Sequence, residues 1–159
     1  MINTISDTPR FVLTIFVCLC LFTAKAQNSN PAYDKALADS LGSDEYGMKM
    51  YTLVILKTGT NTTSDKTVID SLFNGHMQNI GRLAKEGKLI VAGPLQKNEK
   101  NYRGIFILNV KTTEEAKTLL DSDPAVKAKL LDSEIYGWYG SAALPMYLPF
   151  HDKVEKNKF

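Results

Sequence analysis

Cysteine is scarce in this chain. The two present, Cys18 and Cys20, both lie near the amino terminus. Charge of one sign is also lacking: the formal net charge is only +2. No basic patch with interleaved aromatics occurs, so nucleic acid is not an expected partner. Histidine is limited to His76 and His151, with no His-x-x-x-His pair, so no metal site is expected. No apolar run reaches the about 20 residues that a membrane-spanning helix needs.

What is present at the amino terminus reads as an address. Arg10 precedes a charge-free run, Phe11–Thr23. Ala24-Lys25-Ala26 follows in the small-x-small pattern of a signal-peptidase site. Residues 1–26 are therefore expected to be a signal peptide cleaved after Ala26, giving a periplasmic or secreted protein with no membrane segment in its mature form. Cleavage removes both cysteines, which excludes a disulfide framework, a cysteine nucleophile and thiolate metal sites. About 133 residues remain, enough for one domain with its own core.

Residues 27–47 form an N-terminal extension, with a short helix expected over Pro31–Leu41 and Gly42 as its stop. Met48–Lys57 is rich in β-branched and aromatic residues and reads as a strand. Ser64–Lys85 reads as a long amphipathic helix, with Ser64 as N-cap and Gly87 as the terminating glycine. Gly75 and Gly81 inside it permit either close approach by a neighbour or simple tolerance. Two strands follow, Lys88–Leu95 and Tyr102–Val110, then a helix capped by Thr112 or Thr113 and ended by Asp123-Pro124. A further helical piece over Ala125–Leu131 and a strand over Glu134–Tyr139 complete the domain, 48–140. Residues 141–159 read as a C-terminal arm reaching toward a neighbouring subunit.

The order β-α-β-β-α-β predicts an α+β, ferredoxin-like fold with a four-stranded antiparallel sheet and helices on one face. The strands are continuously apolar, so both sheet faces are expected to be covered. A homodimer pairing two sheets face to face does this most simply.

One residue interrupts the helical stripe of Ile69, Leu72, Phe73, Ile80, Leu83 and Ala84: His76 sits where a Leu or Ile is expected. An imidazole there is either a satisfied core group or a proton-transfer group. Asp123, at the end of the second helix, is either a turn residue or the partner of His76. A carboxylate beside an imidazole fixes its tautomer and favours its protonated form. Trp138, with Tyr136 and Tyr139, reads either as strand core or as the wall of a ring-binding pocket, and Tyr46 and Met48 as residues that close it. His151 reads as a surface residue of the tail.

His76, Leu83, Gly87-Lys88-Leu89, Ala92-Gly93-Pro94 and Asp123-Pro124, in that order, resemble the YciI-like (YCII-related) family. The resemblance spans Lys49–Tyr139. It implies a dimeric α/β-barrel type of assembly, a His–Asp site carried by His76 and Asp123, and Gly93-Pro94 as a turn at the pocket wall. One family member acts as a dehydrochlorinase on a chlorinated aromatic. The chain departs from the family in its leader, its N-terminal extension, and Ala125, where an aromatic is common. The expected function is cofactor-independent acid–base chemistry on a small cyclic or aromatic molecule, by elimination, isomerisation or hydrolysis. The alternative is a non-catalytic dimer that binds a small molecule or a partner.

Overall fold

The computed structural model describes residues 30–156. The expected leader and its cleavage site lie outside them. The described residues fall into two units, one ending at Asp34 and the other beginning at Lys35. In the first, Asn30–Asp34 make a turn closed by the Tyr33 amide on the Asn30 carbonyl.

The second unit begins with α1, Lys35–Leu41, followed by Gly42 at φ +67. Strand β1 spans Met48–Thr58, α2 Lys66–Lys85, β2 Leu89–Pro94 and β3 Tyr102–Leu108. Helices α3, Thr113–Leu120, and α4, Pro124–Lys127, precede β4, Leu131–Ser141. A 3-10 turn, Leu144–Tyr147, leads into α5, Leu148–Val154. The sheet has the order β2-β3-β1-β4, with antiparallel neighbours throughout. This is the expected ferredoxin-like α+β arrangement.

Strand alternation assigns the two sheet faces. Thr52, Val54 and Leu56 of β1 and Gly104, Phe106 and Leu108 of β3 are buried and turn toward the helices. The core packs these against Leu83 of α2, Ala116 and Leu120 of α3, and Ala125 and Val126 of α4. Buried Thr52 is satisfied because its hydroxyl donates to the Val110 carbonyl at 3.1 Å. On the other face Leu53, Ile55, Val91, Ile105 and Ile107 are only half-buried in the single chain. At one end of that face Tyr51 is buried against Trp138, with its hydroxyl donating to the Ser141 carbonyl, but the five half-buried residues show that the second covering layer is incomplete within the described chain.

Element boundaries differ from expectation for local reasons. The cap of α2 is Asp65 rather than Ser64, because the Asp65 carboxylate accepts the Thr67 and Val68 amides. Thr112 caps α3 in a reciprocal arrangement with Glu115. The helix stops at Leu120, before Asp123, and Pro124 instead opens α4 as its first residue. Strand β4 is longer than expected because it pairs with the whole of β1, from Met48 opposite Ser141 to Thr58 opposite Leu131.

Residues 144–154 return to the sheet of their own chain, where the Tyr147 hydroxyl donates to the Ile90 carbonyl of β2.

The two helical glycines have different causes. A Cβ on Gly75 would lie 2.8 Å from Cγ of Pro124, so the bare backbone lets α4 approach α2. A Cβ on Gly81 would meet nothing within 4 Å. Gly81→Ala is therefore expected to stabilise the protein by about 0.5–1 kcal/mol through helix propensity. Gly75→Ala is expected to destabilise it by about 1–3 kcal/mol, because a proline ring yields little. Urea unfolding of the two variants checks both signs.

Candidate active site

The site is built where α2 passes the start of α4. Helix α2 is held by its Asp65 cap, by Arg82 and Lys85 in the last turn, and by Gly87 at φ +67 beyond it. Its inward face places His76, Asn79 and Leu83 in the interior. The His76 ring stacks on Phe106 at 5.9 Å between centroids and meets Phe73 edge-on at 6.1 Å. Two aromatic neighbours thus fix the plane of the imidazole.

Asp123 is fully buried, yet its carboxylate is saturated. Oδ1 accepts the Ala125 and Val126 amides at 3.0 and 3.3 Å, which makes Asp123 the N-cap of α4. Oδ2 accepts from His76 Nδ1 at 2.7 Å and from the Asn79 side-chain amide at 3.3 Å. Burial alone raises this carboxyl's pKa. The His76 hydrogen bond and charge, the Asn79 amide and the Val126 amide outweigh it, and the net position lies below the ordinary 3.8. Asp123 is therefore ionised at neutral pH and can only accept, so Nδ1 of His76 carries the proton it donates. Nε2 has no protein partner, and no buried side-chain nitrogen or oxygen among the described residues lacks one. Nε2 thus reaches open space, with a lone pair when the ring is neutral and a proton when it is charged.

That space is a cavity of about 540 Å³. Phe73, His76, Met77 and Ile80 of α2 line one side; β2 and β3 contribute Ile90, Gly93, Pro94 and Phe106 among others. Tyr147, Leu148 and His151 complete the wall from the tail. Its size and apolar lining suit a small organic molecule.

The expected site residues separate into two groups. His76 and Asp123, 47 residues apart in sequence, are hydrogen-bonded, and Gly93 and Pro94 lie on the cavity wall. Trp138, Tyr46 and Met48 are not on that wall. Trp138 lies opposite Tyr51, on the sheet face turned away from the helices, and its ring packs on the Tyr51 ring at 5.7 Å. Tyr46 is 78% exposed. Tyr136 and Tyr139 are engaged elsewhere: the Tyr136 hydroxyl donates to Glu134 and the Tyr139 hydroxyl to Asp44. The latter bond pushes the Tyr139 phenol up to about 12.

Asn79 and Arg103 escaped the sequence reading, and His151, exposed as expected of a tail residue, also lines the cavity. Asn79 donates to Asp123 and accepts from Arg82 and Ser122, tying the pair to the helix surface. Its signal was present, as a polar residue one helical turn beyond His76 on the same stripe. Arg103 and His151 line the cavity without any such signal. Although Asp121 and Asp123 form an Asp-x-Asp run, no group of three or more His, Cys, Asp or Glu side chains is placed to hold a metal ion among the described residues.

Fold and site together define a small α+β protein with a buried His–Asp pair beside an apolar pocket. The family model for the YCII-related domain matches residues 50–138, and the chain belongs to that family. Among solved structures, 5-chloro-2-hydroxyhydroquinone dehydrochlorinase from Burkholderia phenoliruptrix, in complex with 2,5-dihydroxybenzoquinone, is similar over 55% of this chain and 92% of that chain, at 21% identity and a TM-score of 0.40. No curated protein matches the chain.

A depressed carboxyl pKa in the folded state stabilises the fold fully above the unfolded value and ceases to as pH falls through the folded one. Asp123→Asn is therefore expected to cost about 1–3 kcal/mol at neutral pH. The gap between wild type and variant should shrink once the pH drops below 3.8. Urea titrations across acidic pH measure it.

Proposed function

We propose that this protein is a cofactor-independent acid–base enzyme acting on a small cyclic or aromatic molecule held in the cavity. The observation that carries this reading is the 2.7 Å His76–Asp123 hydrogen bond on the wall of an apolar cavity. Asp123 acts as the positioning residue, holding the tautomer with its proton on Nδ1. His76 is the catalytic residue. Neutral Nε2 takes a proton from a carbon or hydroxyl of the substrate, or in hydrolysis from a water whose oxygen bonds to the substrate as the leaving group departs, and the resulting imidazolium returns the proton to the leaving group or to an adjacent atom. Elimination, isomerisation and hydrolysis all fit this traffic. Such help contributes about 10²–10⁴-fold.

The reading extends to assembly and location. The half-buried Leu53, Ile55, Val91, Ile105 and Ile107 face favours a homodimer joined sheet to sheet. Phe11–Thr23 and Ala24-Lys25-Ala26 favour export to the periplasm or medium, with cleavage after Ala26. Native mass spectrometry of the protein recovered outside the cytoplasm should give two copies, each starting at Gln27. A monomer would overturn the first part, and a subunit mass retaining Cys18 and Cys20 the second.

The catalytic reading is tested with a metabolite panel in thermal shift, followed by turnover assays on each stabilising compound. A true ligand at a hundredfold excess over Kd adds about 2.7 kcal/mol. His76→Asn, whose side-chain amide can still donate to Asp123, is expected to keep the fold and the ligand-induced shift while lowering turnover about 10²–10⁴-fold. Ligands that bind without turnover by wild type would make this a binding protein instead.

A further inference from the structure

The cavity wall presents one fixed charge, the cationic guanidinium of Arg103, and no carboxylate to balance it. Among its lining residues the side chains with nitrogen or oxygen are His76, Arg103, Tyr147 and His151. None is a carboxylate. Asp123 stands behind His76, already saturated by four donors. We propose that the cavity's ligand is an organic anion: an apolar ring or chain bearing a carboxylate, whose charge is met by Arg103 and His151. The inference rests on the reading of this cavity as the ligand site and adds the ligand's charge.

Arg103 reaches the cavity through an irregularity in the sheet. Leu56 pairs with Gly104 and Lys57 with Tyr102, so Arg103 is the extra residue of a bulge between β1 and β3. Strict alternation would put Arg103 on the face opposite Gly104 and Phe106; bulges re-aim such a side chain. It lines the cavity and makes no ion pair with any carboxylate among the described residues. Arg103 is exposed, so its guanidinium is open to water. A ligand filling the cavity strips part of that water, which costs free energy unless the ligand supplies a compensating charge. A carboxylate matches the guanidinium fork with two parallel hydrogen bonds.

His151 arrives from outside the matched domain, 50–138. The Tyr147 hydroxyl on the Ile90 carbonyl fixes the start of α5 against β2. Tyr147 and His151 are one helical turn apart, so the same face that carries the anchor carries the imidazole to the wall. Its ring N–H is a second donor for the anion.

Benzoate and benzamide are matched probes, equal in shape and different in charge. Amide NMR titrations should move the Gly93, Gly104 and Phe106 signals at about tenfold lower benzoate than benzamide concentration, a difference of about 1.4 kcal/mol. Arg103→Gln should shrink that preference, the Arg103→Gln/His151→Gln double variant should abolish it, and Arg103→Lys should restore part of it. Equal or tighter benzamide binding in wild type overturns the anion proposal and leaves the cavity reading standing. So does a preference that survives in the double variant. If neither probe moves those signals up to its solubility limit, the cavity reading falls and the anion proposal with it.

Discussion

A carboxylate with no exposure to water cannot remain charged unless every lone pair that matters is met. Asp123 satisfies that demand with two backbone amides, one imidazole and one carboxamide. The amides require α4 to begin immediately after it, which Pro124 favours by its fixed φ. The imidazole and carboxamide require α2 to present positions 76 and 79 to the same point. Close contact of the two helices then requires a glycine at 75. Local choices that look independent along the chain are therefore consequences of one buried charge.

The same demand shapes the chemistry. Because the aspartate is fully engaged, it has no hydrogen-bonding capacity left for a ligand and acts on the cavity only through the imidazole. The ring is flanked by Phe73 and Phe106, which leaves Nε2 facing the cavity. The apolar residues beside it strengthen each polar contact a ligand makes there.

Much of this was legible in the sequence, and the failures have physical causes. The βαββαβ order followed from periodicity, and His76 stood out because a single imidazole broke an apolar stripe. Asp123 was visible as a helix-boundary residue beside a proline, with its partner suggested by the adjacency of helices in a split βαβ fold. Trp138 was misassigned to the pocket because aromatic content does not reveal strand parity; one position's shift exchanges the sheet faces. Arg103 was hidden for the converse reason, since a bulge cancels the parity that composition would suggest. His151 was hidden because nothing local says where a tail of short helical turns will dock.

That docked tail has a consequence for solubility. Strand β2 lies at the end of the sheet order and offers main-chain groups to any extended peptide that arrives. Pro94 carries no amide hydrogen to offer, the register slips between Leu89 and Val91, and a phenol occupies the Ile90 carbonyl. An incoming foreign strand would find this border interrupted at Ile90 and again at Pro94, so the segment that finishes the pocket also guards this edge against polymerisation.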